Sequence, residues 1–176
     1  MTGAPPDPDG TGDTGGAPPT IRRATNGDLP RLHALQAAAF PDPNRTLLRT
    51  GVRAGLALVA ADRSAAGGTD GPSDLRPEPV GYALFTADGE TVYVAELAVA
   101  PGHRRRGHGR RLLAAVAARN PDHAALRLTT RADNERARAF YESVGFREAR
   151  RLPDHYDGTE TGGGPTDGVL LVRDLE

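Results

Sequence analysis

A loop rich in arginine and glycine, residues 104–109, has the residue types best suited to holding a charged ligand. It follows an apolar segment that ends at Val99, and a helix-forming run with Leu112 and Leu113 comes directly after it. Successive backbone N–H groups at a helix N-terminus form a positively polarised pocket that suits a pyrophosphate. Glycines let phosphates approach the backbone, and arginines add charge and paired donors. The spacing therefore predicts a pyrophosphate-binding loop.

Two other phosphate motifs do not fit this loop. A P-loop needs Gly-Lys-Ser/Thr, and the chain contains no lysine. A dinucleotide-binding fingerprint needs Gly or Ala three residues after Gly109, where this chain has Leu112. A solvated basic surface is the simpler interpretation of an arginine run, and nucleic-acid binding is the least favoured one. The position between a strand and a helix favours a ligand site.

Hydrophobic periodicity predicts the order β-α-β-β-β-α-β-α-β-β. The predicted strands lie near Ile21 and at 56–61, 80–86, Thr91–Val99, 125–130, 146–152 and 169–173, with helices at 29–40, around 112–117 and at 137–144. A helical crossover between Thr91–Val99 and 125–130 implies that these two strands run parallel. The pattern predicts an α/β (α+β) fold, with a mixed central sheet flanked by helices.

Composition indicates one folded domain, residues 20–176, behind a disordered, acidic, Gly/Pro-rich tail at 1–19. Flexible loops are expected at 62–79 and 157–167. The net charge of −1 gives no overall attraction to nucleic acid or to an anionic membrane. With no cysteine, disulfides and a cysteinyl intermediate are excluded, and the histidines lack metal-ligand spacing. Without a long apolar segment, the expected location is cytoplasmic, with no membrane partner.

Two blocks carry a family resemblance. Arg104-x-x-Gly107-x-Gly109 is the first, and the second runs from Asn134 through Ala137, Phe140 and Tyr141 to Gly145 and Phe146. Together they resemble the signature of the GCN5-related N-acetyltransferase (GNAT) superfamily, over residue 21 to the C-terminus. The resemblance implies a GNAT-like fold and acetyl-CoA as co-substrate, with no metal.

The resemblance also implies which residues bind acetyl-CoA. The strand before the loop separates from the next parallel strand, and the pantetheine arm lies in the gap. Backbone groups there would bind the arm, and backbone amides of the loop would bind the pyrophosphate. The implied set is Leu97, Ala98, Val99, Arg104, Arg105, Arg106, Gly107, His108, Gly109, Arg110, Asn134 and Tyr141.

Tyr141 matches the family's general acid, which protonates the departing CoA thiolate; the alternative is a core aromatic beside Phe140. Glu96, on the strand that leads into the loop, is the candidate general base. Its alternative is a satisfied carboxylate, paired with a nearby arginine. His155 and Tyr156 are weaker candidates for lining the acceptor site.

The predicted reaction is direct acetyl transfer to a primary amine in a ternary complex. The C-terminal third resembles the RimI-like branch, which acetylates protein N-terminal amines. One residue argues against this branch: Thr129 stands at the position where the branch carries a catalytic glutamate. A small-molecule amine as acceptor, or a non-catalytic acetyl-CoA sensor, remain the alternatives, and the protein is expected to be a monomer or homodimer.

Overall fold

The computed structural model describes residues 20–62, 77–156 and 166–175. The strands are β1 (Thr20–Arg23), β2 (Ala57–Asp62), β3 (Glu78–Asp88), β4 (Thr91–Val99), β5 (Ala125–Arg131), β6 (Arg147–Tyr156) and β7 (Thr166–Asp174). The helices are α1 (Leu29–Ala39), α2 (Arg45–Arg53), α3 (His108–Ala118) and α4 (Glu135–Ser143).

The seven strands form one sheet in the order β1-β2-β3-β4-β5-β7-β6. Neighbouring strands pair antiparallel except β4 and β5, which pair parallel. These two are joined through α3, because parallel neighbours need a crossover connection. The predicted mixed α/β fold is confirmed, and so is the parallel pair at its centre.

Each face of the sheet buries its own apolar cluster. On one face α3 packs Leu112, Leu113 and Val116 against the sheet. On the other face α1 and α2 cover the sheet, with Leu32 and Leu48 fully buried. The central strands β2 and β3 are therefore apolar on both sides, as strands covered on both faces must be.

The sequence prediction missed α2. Asn44 caps this helix by accepting a hydrogen bond from the Leu47 N–H, and Leu48 and Val52 bury one face at helical spacing. Gly51 stands in its middle, where a Cβ atom would collide with the Leu84 side chain. The helix thus needs glycine for packing although glycine weakens helices in isolation, which is why the sequence alone argues against it.

The predicted tail at 1–19 lies outside the described residues, as do residues 63–76 and 157–165 of the two predicted loops. The described ends of those loops belong to strands: Asp62 ends β2, Glu78 begins β3 and Thr166 begins β7. Asp28 accepts two hydrogen bonds from Arg22, at 2.7 and 2.8 Å. It thereby ties β1 to the start of α1.

Candidate active site

A gap opens in the middle of the sheet where β4 and β5 part. The parallel pairing consists of Thr91 with Ala125, Val92 with Leu126 and Tyr93 with Arg127, and it stops there. β4 continues to Val99 and β5 to Arg131 without pairing to each other. The backbone polar groups along this part of β4 are therefore left for a ligand or for water.

A bulge in β4 lies at the start of the gap. Val94 pairs with Phe85 and Glu96 pairs with Leu84, so Ala95 is an extra residue. Bulges change the face on which the following side chains lie. Val94 packs in the α3-side cluster, whereas the side chain of Glu96 bonds to residues on the α1 side.

Backbone groups of two predicted binding residues face the gap. The Ala100 N–H donates to the Val80 carbonyl on β3, at 2.8 Å. Since backbone groups alternate in direction along an antiparallel pair, those of Ala98 also point to β3, and those of Leu97 and Val99 point into the gap. Ala98 is buried and is 4% exposed. The backbone groups of Leu97 and the Val99 N–H are left for a ligand, because the Val99 carbonyl accepts from Arg104 Nε.

The loop after β4 winds so that a helix N-terminus opens to solvent. Arg105 and Gly107 both have left-handed backbone conformations, with φ of 62° and 81°. Gly107 is the N-cap of α3, and it has no side chain to satisfy the first N–H groups of the helix. Those N–H groups, together with the helix dipole, favour an anion. A helix N-terminus of this kind is what the predicted pyrophosphate loop requires.

The arginines around the loop divide into two kinds. Arg104 donates from Nε to the Val99 carbonyl at 3.1 Å, and Arg110 donates to the Ser143 carbonyl at 3.1 Å. These two brace the loop against β4 and α4. Arg105 and Arg106 are exposed, so their guanidinium groups are accessible to a charged ligand.

The two loop glycines are needed for different reasons. At Gly107 a Cβ atom would meet nothing within 4 Å, so the requirement there is the left-handed backbone. At Gly109 a Cβ atom would lie 2.9 Å from Cζ of Phe140. Gly109 thus allows α3 to pack closely against α4. The sequence interpretation, that both glycines clear space for phosphates, did not include this helix packing.

His108 is a buried member of the loop, 3% exposed. Among the described residues neither ring nitrogen has a hydrogen-bond partner. Burial, first, and the neighbouring His103, Arg106 and Arg111 lower the pKa of His108, against an opposing effect of Asp62. The imidazole is therefore neutral near pH 7 and packs as an apolar group, which leaves its backbone N–H as the group for a ligand.

Tyr141 lies on α4 with its ring against Phe140 and Phe146, at centroid distances of 5.2 and 5.6 Å. Burial, first, and the nearby Tyr156 raise the pKa of Tyr141 to about 12. The phenol is therefore protonated near pH 7. It can donate a hydrogen bond or a proton to a developing anion, as the predicted general acid must.

Tyr156 and Tyr93 extend this site, and the sequence analysis missed Tyr93. Burial and Tyr93 raise the pKa of Tyr156, and Arg131 opposes them. The Arg131 guanidinium lies over the Tyr156 ring, 5.8 Å from its centroid. Tyr93 is also the last residue of β4 that pairs with β5. The sequence shows a tyrosine on the strand that leads into the loop, but it does not show where β4 and β5 part.

Glu96 is half-buried, and its carboxylate accepts hydrogen bonds from neutral donors. Gln36 donates from Nε2 to both carboxylate oxygens, at 2.9 and 3.0 Å, and the Tyr82 hydroxyl donates at 2.6 Å. The arginine partner of the alternative interpretation is not among these donors, which are an amide and a phenol. The carboxylate is held in place on the α1 side of the sheet.

The remaining predicted residues lie on β5, at the start of α4 and on β6. Asn134 caps α4, with Oδ1 accepting from the Ala137 N–H at 3.1 Å, so its amide nitrogen is the group left for a ligand. Thr129 is half-buried on β5 and pairs with Leu170. His155 packs over Gly168, where a Cβ atom would be 3.0 Å from the imidazole ring.

Within the described residues, no group of three or more histidine, aspartate or glutamate side chains is placed to hold a metal ion. No helix in that part of the chain is long and apolar enough to cross a membrane.

Comparison with known proteins identifies the family. Residues 39–146 match the Acetyltransferase (GNAT) family, and the chain belongs to it. The predicted family resemblance is confirmed.

A mycothiol acetyltransferase of Clavibacter sepedonicus is 35% identical over 138 residues, which is 71% of this chain and 43% of that protein. The chain spans between 24% and 43% of the length of the curated relatives it matches.

Solved structures share the fold. The ribosomal-protein-S18-alanine N-acetyltransferase of Escherichia coli aligns with a TM-score of 0.69 at 23% identity, covering 90% of this chain and 94% of that one. NAA60 of Arabidopsis thaliana, solved with acetyl-CoA, aligns with a TM-score of 0.72 at 25% identity, covering 89% and 99%.

Proposed function

We propose that this protein transfers the acetyl group of acetyl-CoA directly to a primary amine within a ternary complex. The observation that carries the proposal is the parting of β4 and β5 after Tyr93, with the uncapped N-terminus of α3 at the end of the same strand. One strand thus supplies backbone donors for the pantetheine arm and leads to a pocket for the pyrophosphate.

The chemistry needs one group to accept a proton and one to donate it. The amine nitrogen attacks the thioester carbonyl carbon, the new C–N bond forms and the C–S bond breaks. The Leu97 and Val99 backbone groups line the gap where the thioester lies. Tyr141, protonated near pH 7, gives its proton to the departing CoA thiolate. Glu96 takes the proton of the amine, directly or through water.

The acceptor we propose first is the N-terminal amine of a peptide. The support is the fold shared with N-acetyltransferases of proteins, one of them solved with the bisubstrate analogue CoA-Ac-MVNAL. Tyr156 and Arg131, at the ends of β6 and β5, lie beside the gap and would line the path of such an acceptor.

A small-molecule amine is the second candidate, and a specific observation favours it. The curated relatives that carry an assigned activity are mycothiol acetyltransferases, at 35% and 43% identity. The two candidates use the same acetyl-CoA site and the same transfer step, so they differ only in what the acceptor side of the gap admits.

The test measures CoA release from acetyl-CoA with two panels: peptides beginning with Ala, Ser or Met, and small amines including polyamines, amino acids and amino sugars. Turnover on peptides alone supports the first candidate, and turnover on small amines alone supports the second. No turnover on either panel overturns the proposal and leaves a protein that binds acetyl-CoA without using it.

Tyr141→Phe separates an enzyme from a sensor. We expect kcat to fall by about 10²–10⁴-fold, the usual contribution of an acid–base group. Affinity for acetyl-CoA should be unchanged, because the pyrophosphate loop is intact. Thermal unfolding at about a hundred times the Kd should show the roughly 2.7 kcal/mol of ligand stabilisation in both proteins. An unchanged kcat would remove Tyr141 from the mechanism.

A further inference from the structure

Gln36 is a polar residue at the centre of an apolar cluster. It lies on α1, its side chain is 0% exposed, and Leu32 and Leu35 beside it belong to the buried cluster on that face of the sheet. Burying an amide costs free energy unless the amide is hydrogen-bonded, so the hydrogen bonds of a buried glutamine should offset that cost.

The hydrogen bonds of the Gln36 side chain are all donated by its amide nitrogen. Nε2 donates to both oxygens of Glu96, at 2.9 and 3.0 Å, and to the Asn44 carbonyl, at 3.1 Å. Its own Oε1 is buried and has no partner within the part of the chain that the structure describes. The amide is therefore oriented by its donor end alone, toward the carboxylate and toward the segment that begins α2.

Tyr82 completes the set from β3. It is also 0% exposed, and its hydroxyl donates to Oε2 of Glu96 at 2.6 Å. Burial, first, and the carboxylate raise the pKa of Tyr82 far above that of a free phenol, so it remains a donor. Three short hydrogen bonds therefore fix the position of the Glu96 carboxylate.

The Glu96 carboxylate has acceptor capacity left for a proton. A carboxylate offers about four lone-pair sites. Two bonds end on Oε2 of Glu96 and one on Oε1, so Oε1 retains a free lone pair. The arrangement orients the carboxylate without using all of its acceptor capacity, as a general base requires.

We propose that Gln36 and Tyr82 are positioning residues that hold the Glu96 carboxylate in one orientation. Gln36 is itself held by the Asn44 carbonyl, since one Nε2 group binds both that carbonyl and the carboxylate. The inference rests on the proposed transfer to an amine.

The kinetic test uses the peptide or amine that turns over fastest in the two panels. Tyr82→Phe should lower kcat/KM by about tenfold, the effect of losing one hydrogen bond to a charged group. The loss should lie in kcat, because the Tyr82 hydroxyl acts through the carboxylate that it orients. Gln36→Leu should do the same, and KM for acetyl-CoA should stay constant in both.

Two comparisons distinguish the positioning role from a purely structural role. Val52→Ala weakens the same buried cluster without touching the hydrogen bonds, and it should leave kcat unchanged. In a Glu96→Gln background, Tyr82→Phe should cause no further loss, since its effect acts through the carboxylate. Equal losses in the two backgrounds would overturn the inference.

A second readout does not depend on turnover. With glutamate labelled at the carboxyl carbon, the NMR resonance absent from Glu96→Gln reports the hydrogen bonding of this group directly. At a fixed pH this resonance should shift in Tyr82→Phe and in Gln36→Leu, and it should stay in place in Val52→Ala. If no amine is acetylated, the proposed function fails while this spectrum still decides the network; an unshifted resonance in both variants refutes the positioning role. If Gln36→Leu does not fold, Tyr82→Phe still provides the test.

Discussion

Gly107→Ala isolates the backbone requirement of the acetyl-CoA loop. Gly107 has φ of 81°, and a Cβ atom there would meet nothing within 4 Å. The substitution thus introduces no collision, only a left-handed conformation for a residue that has a Cβ. Gly102→Ala is the matched control. Gly102 lies five positions earlier in the same connection, also with open space around it, and is not among the positive-φ glycines.

The expected magnitude follows from that conformation. A left-handed residue with a Cβ costs about 1–2 kcal/mol. For a chain of this size, each kcal/mol corresponds to roughly 2–4 °C in Tm, so Gly107→Ala should lower Tm by about 2–8 °C. If the free loop rearranges to avoid the strain, the cost appears in acetyl-CoA affinity instead, as about a tenfold loss per 1.4 kcal/mol. Gly102→Ala should be neutral or slightly stabilising.

The assay is thermal unfolding of the wild type and both variants, without acetyl-CoA and over a titration of it, with calorimetric Kd values at one temperature. The sum of the two losses in Gly107→Ala should reach about 1–2 kcal/mol. The reasoning is refuted if Gly107→Ala matches Gly102→Ala in both Tm and Kd, because the left-handed turn would then contribute nothing to the loop.

Three further changes test other parts of the site. Asn134→Ala removes the cap that accepts from the Ala137 N–H, and denaturant unfolding should show a loss of about 1 kcal/mol. Gly81→Ala places a Cβ 2.8 Å from the Ala98 carbonyl, beside the gap; overpacking should cost about 1–3 kcal/mol, and an unchanged stability would show that β4 can shift freely. Because burial lowers the pKa of His108, the unfolded chain binds more protons, and stability should fall as pH drops below about 6.5. His108→Leu should lose less stability than the wild type between about pH 7 and pH 5, and equal losses would place the acid sensitivity elsewhere.

Local sequence determined the elements whose start and stop residues act within a few positions. Asn134 caps α4, and Gly145, at φ of 91°, ends the turn after it, as their residue types predict. β4 has the predicted bounds Thr91–Val99. The loop motif likewise depends on neighbouring residues, so the uncapped N-terminus of α3 could be expected from its glycines.

What the sequence could not determine depends on contacts between distant segments. The bulge at Ala95 is visible only from the register of β4 against β3, and it decides that Glu96 lies on the α1 side. Gln36 and Glu96 are 60 positions apart, and neither residue type predicts the other as a partner.

The gap between β4 and β5 and the tyrosines near it also depend on contacts between distant segments. β4 and β5 part after Tyr93, and Tyr141 and Tyr156 come to this place from a helix and a hairpin. The sequence by itself determined the family, the loop and the elements that frame it, because those signals are short-range spacings. Only the tertiary structure decided which side chains meet at the gap, because strand register and sheet order set those distances.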